Sequence, residues 1–276
     1  LLTCFKLFSI FCLWVKFSVI KMSGFPLIEI VKRQAVLTFS KLASVSPNFE
    51  ENLSKLKNLT NKITSADINL DSSLLQPIPN GMEEEHAPVT YIQVLDDPNL
   101  TIGIFVLKQG ARLPLHDHPL MYGILKVVHG TVHIQSYSMV TGTNGLKEEA
   151  IPQGLNSVYP DDIALSQDTL YKQVTLLARK EPDVYVNETS PSCVLSPITG
   201  NLHEIHSVDG PAAFVDILAP PYGSDVPGVG PRPCRYFKEI GDVAVEQDGD
   251  KRPVKKLLRI PSPPDYWSSS APYQGP

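Results

Sequence analysis

The feature that most constrains the fold is a series of short runs rich in β-branched and aromatic residues, which begins at Val89. The first four runs read VTYIQVL, TIGIFVLK, GILKVV and TVHIQSYS, and Asp-Pro-Asn, Gly-Ala and His-Gly separate them. Later runs read YKQVTLLA, SCVLS and AAFVDILA, with further strand candidates at CRYFKEI and KKLLRI. Turn signals at this spacing predict an antiparallel sandwich or barrel, and the polar residues after Val140 predict a long surface excursion.

The residues before this series predict one amphipathic helix that docks on the main domain. In residues 47–64, apolar side chains recur at spacings of three and four residues, at Phe49, Leu53, Leu56, Leu59 and Ile63. The chain has 276 residues, and all-β domains often exceed the usual roughly 150 residues per domain. We therefore expect an N-terminal extension with a helix over residues 22–88, followed by a single β-domain over residues 89–276.

The first 21 residues are apolar, but Lys6, Lys16 and Lys21 interrupt them, and the first methionine is Met22. The longest uninterrupted apolar run, residues 7–15, is too short to span a bilayer, although it would fit the apolar region of a signal peptide. Two interpretations stay open. We favour a non-native upstream segment before a start at Met22 over a signal-like stretch or anchor.

Charge and cysteine content exclude several classes of partner. The formal net charge is −5. The sequence has no basic stripe with interleaved aromatic residues, so nucleic acid is not an expected partner. The four cysteines are scattered, without a CxxC pair, which favours reduced thiols in the cytoplasm over a disulfide framework or a zinc ribbon. Since no exposed apolar strand or heptad is evident, we expect a monomer without stable membrane association.

Two histidines at residues 116 and 118 are candidate metal ligands. In a strand, residues two apart project from the same face, so His116 and His118 lie together while Asp117 points the other way. Pro114 and Pro119 bracket the pair and favour a strand end or a barrel rim. The H-x-H pattern by itself leaves metal binding open.

A third ligand has to come from another strand, and four histidines are candidates. His129 precedes Gly130 and is expected in a hairpin turn, pointing to solvent, while His133 alternates with the apolar Val132 and Ile134. His203 and His206 are three apart, so they face opposite ways in one strand. The pattern favours His203, which shares a face with Ile205, without excluding His206.

Several motifs together resemble those of one family. Gly110, His116, His118 and Gly130 have the spacing of the first cupin motif, and GNLHEI at residues 200–205 resembles the second. More narrowly, LPLHDHP, LKVVHGTV, GNLHEI, GPAAFVDILAPPY and CRYF are similar, in this order, to the thiol dioxygenase family of cysteamine dioxygenases and plant cysteine oxidases. The resemblance covers most of residues 22–276. It implies an all-β fold, a cupin-type antiparallel β-barrel (double-stranded β-helix, or jelly roll) with a short N-terminal helical region.

The resemblance also implies a site. It makes His116, His118 and His203 the ligands of Fe(II). The family's aspartate and tyrosine fall on Asp216 and Tyr222. A carboxylate in an apolar strand is either a hydrogen-bonded core residue or a partner of the substrate's ammonium group or of Tyr222. The cysteine and tyrosine that some family members are proposed to cross-link fall on Cys234 and Tyr236.

Two positions after the histidine pair stand out. Many cupins carry a glutamate ligand four or five residues after the second histidine, where this chain has Tyr122 and Gly123; the thiol dioxygenases share that absence. The family commonly has glycine after HDHP, whereas this chain has Leu120, which could reshape the pocket mouth.

The activity that the resemblance implies is the O₂-dependent oxidation of a thiol to a sulfinic acid. The substrates would be cysteamine, giving hypotaurine, and/or an N-terminal cysteine of a protein, a reaction suited to oxygen sensing. The absence of a Gly-rich dinucleotide fingerprint agrees with a reaction that needs no organic cofactor. Two alternatives stay open: a zinc-dependent cupin hydrolase or isomerase, because three histidines and a water also form a catalytic zinc site, and a non-catalytic ligand-binding cupin.

Overall fold

The computed structural model describes residues 25–40, 47–77, 86–140, 175–226, 230–244 and 250–276. The expectations for residues 1–21 and for most of the polar excursion after Val140 lie outside these ranges. The elements in chain order are α1 (Leu27–Phe39), α2 (Phe49–Thr60), a 3₁₀ turn (Ser72–Leu75), β1 (Val89–Asp97), β2 (Leu100–Leu107), β3 (Arg112–Asp117), β4 (Tyr122–Met139), β5 (Thr175–Lys180), β6 (Val184–Asn187), β7 (Cys193–Leu195), β8 (Leu202–Ala219), β9 (Asp225–Val226), β10 (Gly230–Pro231), β11 (Tyr236–Val243), β12 (Val254–Ile260) and β13 (Ser268–Ala271).

The strands form a closed antiparallel β-barrel, which confirms the predicted fold. The sheet runs in the order β13-β1-β2-β8-β3-β11-β12-β5-β4-β6, and a second pairing of β8 with β4 closes it. Strands β4 and β8 have 18 residues each and pair from Tyr122↔Ala219 to Tyr137↔Leu202. Each therefore spans the barrel and contributes to both of its halves.

The predicted hairpin turn at His129 is wrong, because GILKVV and TVHIQSYS belong to the single strand β4. The pairing of β4 with β8 shifts register on both sides of His129, which marks a β-bulge. Gly130 has φ +70°, and a Cβ there would lie 2.3 Å from the carbonyl oxygen of Pro211. Only glycine fits this bend, but His129 still points outward, as expected, with 40% of its side chain exposed.

Side-chain alternation divides the apolar residues between the two faces of the barrel wall. The interior cluster includes Leu125 and Val127 of β4 and Ile205 and Phe214 of β8. A second cluster on the outer face combines alternate residues of the same strands with the two helices. The interior is thus lined by one face of each long strand, and this face positions the candidate site.

The predicted helix is confirmed as α2, and the chain has a second one, α1, that the sequence reasoning missed. All five residues of the predicted apolar face of α2 belong to or pack against the outer cluster, so the helix docks as expected. In α1, Ile28, Val31 and Ala35 are fully buried at spacings of three and four. Among the described residues, neither helix is long and apolar enough to cross a membrane.

Candidate metal centre

Three histidines from two adjacent strands meet in the barrel interior. His116 lies at the end of β3 directly opposite His203 of β8, and His118 follows β3. One ring nitrogen of each lies within 4.8 Å of those of the other two, and the Nε2 atoms of His118 and His203 are 3.0 Å apart. All three residues are at most 8% exposed. We call these three residues the histidine group.

Hydrogen bonds on the far side of two rings orient their Nε2 atoms toward the centre of the group. The Nδ1 of His116 lies 2.7 Å from the carbonyl oxygen of Pro114, to which it donates. The Nδ1 of His118 lies 2.8 Å from the Tyr222 hydroxyl, which itself donates to the carbonyl oxygen of Asp117 at 2.6 Å. A histidine that donates through Nδ1 keeps the lone pair of Nε2 free for a metal.

Burial keeps these imidazoles neutral. Desolvation lowers the pKa of His116 to about 4, against smaller opposing effects of the Pro114 carbonyl and Glu204. Desolvation also lowers the pKa of His118 and of His203 well below the usual value, and the neighbouring histidines add to the shift. Neutral imidazole is the form that binds metals. The donor set therefore fits a divalent transition-metal ion held by three nitrogen ligands.

A leucine fills the space where many cupins carry a carboxylate ligand. Gly123 of β4 lies directly opposite Leu195 of β7, and a Cβ on Gly123 would lie 2.8 Å from the Leu195 Cγ. Leu195 is 7% exposed, so its side chain is held in place by its surroundings. The packing of β4 against β7 therefore excludes a side chain, and with it a carboxylate, at position 123.

Tyr222, Cys234 and Tyr236 are neighbours beside the histidine group. Tyr236 of β11 lies opposite His116 and shares its face of the sheet. The hydroxyls of Tyr222 and Tyr236 lie close enough to the Cys234 thiol to affect its pKa. Burial is the main cause that raises the pKa of Cys234 to about 12 and that of the Tyr222 phenol well above its usual value. All three groups are therefore protonated at neutral pH.

Asp216 projects from the interior face of β8 and is partly buried. Its direct neighbours in the sheet are Gly103 of β2 and Leu125 of β4, and Leu125 belongs to the interior cluster. Desolvation raises the pKa of Asp216 to about 7. Within the described ranges no hydrogen bond or ion pair to this carboxyl group is found, and the nearest ionisable groups include the phenols of Tyr91 and Tyr222.

The pairing of Asp117 with Arg235 was not expected from the sequence. Asp117, fully buried on the far side of the strand from the histidine pair, accepts the backbone N–H of Arg235 at 2.8 Å, and its own N–H donates to the Arg235 carbonyl at 3.1 Å. This pair fixes the Cys234–Tyr236 segment against β3. The alternation of H-D-H could have suggested it, since a carboxylate that points away from a metal pair needs a partner of its own.

The remaining candidate histidines lie outside the site. His133 stacks on Tyr185 with ring centroids 4.5 Å apart and pairs across the strands with His206. His206 in turn lies 3.3 Å from Glu204. The structure thus places His203 in the histidine group and His206 outside it.

Leu120 adopts a left-handed backbone conformation with φ +55°. Glycine reaches this region at no steric cost, whereas a residue with a Cβ is strained there. The glycine that the resemblance places after HDHP thus corresponds to a backbone requirement of the turn, which Leu120 meets under strain. Its side chain lines an outer cavity of about 550 Å³ together with Phe49 and Tyr122, rather than the histidine group.

A closed antiparallel barrel with three buried, neutral histidines in its interior defines a metal-binding cupin-type protein. Residues 59–276 match the PCO_ADO family profile, and the chain belongs to this family. It is 34% identical to 2-aminoethanethiol dioxygenase of Homo sapiens, over 91% of this chain and 96% of that protein. The corresponding protein of Mus musculus is 36% identical, with 91% and 95% covered. Plant cysteine oxidase 1 of Arabidopsis thaliana is 26% identical, over 69% of this chain and 56% of that protein.

Proposed function

We propose that this protein is a non-haem iron thiol dioxygenase. It uses O₂ to convert cysteamine to hypotaurine and/or the N-terminal cysteine of proteins to cysteine sulfinic acid. The observation that carries the proposal is a group of three neutral histidines without a carboxylate at position 122 or 123, in a chain of the PCO_ADO family. Both atoms of O₂ enter the product, since RSH + O₂ gives RSO₂H and needs no further reductant.

His116, His118 and His203 would hold the iron. Fe(II), when bound, supplies a redox-active centre at which a thiol sulfur and O₂ can react. Because all three ligands are neutral, the site keeps the full charge of the divalent ion, whereas a carboxylate ligand would remove one unit. A more positive site favours an anionic thiolate over a neutral thiol, since nearby positive charge lowers the pKa of a thiol.

Asp216 would bind the amino group that cysteamine and an N-terminal cysteine share. Its carboxyl group faces the barrel interior and has no cationic partner among the described residues. Burial raises its pKa to about 7, so an arriving ammonium group would stabilise the ionised form that burial disfavours. An ion pair formed away from water also selects amines over neutral substrates of the same shape.

The two tyrosines would act through their hydroxyl groups. Tyr222 holds His118 through its Nδ1, which makes it a positioning residue. Tyr236, opposite His116, would donate a hydrogen bond to oxygen during the reaction. A covalent bond between Cys234 and Tyr236 stays a prediction, which the proximity of their side chains supports.

We further infer a cytoplasmic monomer that acts on small thiols or Cys-initiated peptides, without stable membrane association. The two cysteines in the described part of the chain, Cys193 and Cys234, are both free thiols. Reduced thiols of this kind are typical of a reducing compartment.

The decisive experiment incubates the iron-loaded protein under O₂ with cysteamine and, separately, with a Cys-initiated peptide, and follows product mass. We expect a gain of two oxygen atoms on at least one substrate. His203→Ala should abolish the reaction and lower the metal content, whereas the outward-facing matched control His206→Ala should leave both unchanged. Stoichiometric zinc without thiol-dependent O₂ uptake would instead support a zinc hydrolase or isomerase.

Asp216→Asn tests the amine site in the same assay. For cysteamine, we expect KM to rise at least about tenfold, because one desolvated ion pair exceeds about 1.4 kcal/mol. For 2-mercaptoethanol, which has a hydroxyl in place of the amine, KM should change little, and metal content should not change. An equal loss for both thiols would assign Asp216 to the structure of the barrel.

A further inference from the structure

The segment that connects β12 to β13 crosses the barrel beside the site. Strand β12 ends at Ile260, directly opposite Tyr236, and β13 begins at Ser268, beside Val89 of β1. Residues 261–267, which we call the strap, therefore run from the strand next to Tyr236 to the strand that pairs with β1. Val89 is fully buried in the interior cluster, so the strap passes along the edge of the interior.

The strap inserts one aromatic side chain into this interior. Tyr266 packs against the interior cluster, and its ring centroid lies 5.8 Å from that of Tyr236, with the two planes at 56°. The phenol of Tyr266 is close enough to that of Tyr236 to affect its pKa. The hydroxyl of Ser262, four residues earlier in the strap, also lies near the Tyr236 phenol.

An ion pair fastens the strap to the strand of the histidine pair. Arg112, the first residue of β3, donates to both carboxylate oxygens of Asp265, at 2.9 and 3.2 Å. The other terminal nitrogen of Arg112 donates to Glu204 of β8 at 2.7 Å. Both bonds to Asp265 come from one guanidinium nitrogen, so this ion pair restrains the distance between β3 and the residue next to Tyr266.

We propose that Tyr266 is a positioning residue of the reaction, which holds the Tyr236 hydroxyl in place, and that the Arg112–Asp265 pair holds Tyr266. A series of side-chain contacts then leads from Arg112 of β3 through Asp265 and Tyr266 to Tyr236. Without these contacts the Tyr236 phenol would keep Cys234, Ser262 and its own strand as neighbours. This inference rests on the proposed function, because Tyr236 matters to turnover only if the histidine group oxidises thiols.

Tyr266→Phe tests the proposal by removing only the hydroxyl. We expect kcat to fall about two- to tenfold, the range that one hydrogen bond represents, while KM for cysteamine and metal content stay unchanged. KM should stay the same while kcat falls, because the amine of the substrate is bound at Asp216 and not at Tyr236. The control Tyr185→Phe removes the hydroxyl of an exposed tyrosine on the outer face and should alter neither constant.

Asp265→Asn tests the anchor, and the two changes should not be additive. Because Asp265 acts through Tyr266, the double variant should lose no more activity than Tyr266→Phe alone, and additive losses would contradict the coupling.

In the substrate-free, full-length protein, amide hydrogen exchange of the strap should accelerate in Asp265→Asn, while exchange along β4 and β8 stays the same. Unchanged exchange, or an unchanged kcat in Tyr266→Phe, would overturn the proposal. If the parent protein oxidises no thiol, the proposed function fails, and the exchange measurement still decides whether the ion pair holds the strap.

Discussion

Leu120 shows how a single residue can meet a backbone requirement that its side chain does not favour. Its φ of +55° lies in the left-handed region, which costs an L-residue about 1–2 kcal/mol relative to the right-handed one. The sequence could identify Leu120 as a departure from the family pattern but not explain it. The backbone angle explains it, because the requirement at this position concerns the chain direction and not the pocket.

A comparison of alanine and glycine at this position measures the strain. Leu120→Gly should have a free energy of unfolding about 1 kcal/mol above that of Leu120→Ala, because both lose the side chain and only glycine relieves the backbone. Denaturant titration measures the difference. At the exposed helical control position Leu37, the order should reverse, with alanine more stable by about 1 kcal/mol. The same order at both positions would disprove strain at Leu120.

Some residues of the site can be recognised from the sequence alone, and others cannot. His116, His118 and Asp216 stand out in the sequence, because imidazoles at alternate positions and a carboxyl group in an apolar strand are unusual. Leu195 and Tyr266 could not be found in this way. They are ordinary residue types, and they matter because β7 and the strap place them against residues that are distant in sequence.

At the scale of elements, the packing of β7 against β4 excludes a side chain at position 123. The Cβ that alanine would add lies within 3.1 Å of three carbon atoms of Leu195, closer than carbon atoms normally approach. The backbone of Gly123 is not left-handed, so glycine is required here by space alone. The three-histidine site thus depends on a contact between two strands, one of them only three residues long.

Gly123→Ala should lower the free energy of unfolding by about 1–3 kcal/mol, the usual effect of overpacking. In the Leu195→Ala background the same change should have a much smaller effect, because the Leu195 atoms that cause the overlap are gone. A double-mutant cycle by chemical denaturation measures this coupling. Equal effects in both backgrounds would mean that Leu195 does not fill the space above Gly123.

The elements were predicted best where their periodicity is strong. The runs at Val89 and Leu100, the helix at Phe49 and the late strands at Tyr236 and Val254 all occur. The His-Gly break was misread because glycine with a positive φ serves a bulge as well as a turn. Helix α1 was missed because its β-branched residues favour strands locally, while its packing against the barrel decides the outcome.

At the scale of the whole molecule, Asp216 links stability to pH. Its folded-state pKa of about 7 exceeds the unfolded value of about 3.9, so the folded state binds the proton more tightly. This contribution to stability is fully present below about pH 4 and is lost as pH rises through 7. The histidine group acts in the opposite direction: its lowered pKa values make stability fall as pH drops below about 6.5.

Asp216→Asn should therefore gain stability relative to the parent as pH rises from 4 to 8. The gain should be roughly 1–3 kcal/mol, because part of the carboxyl group remains accessible and each pKa unit corresponds to about 1.4 kcal/mol. Unfolding curves of metal-free protein at several pH values give the difference, in which the contribution of the histidines cancels. A difference that does not vary with pH would show that the carboxyl group titrates normally.

The pairing of β13 with β1 sets the order in which the chain can complete its fold. Thr90 and Ser269 contact each other across 179 positions, whereas His118 and His203 are separated by 85. The histidines can therefore come together before β13 pairs with β1. The pairing of β1 with β13 forms at the larger entropic cost of a longer loop. Removing the C-terminal residues would therefore leave the edge of β1 unpaired and open to association with another chain.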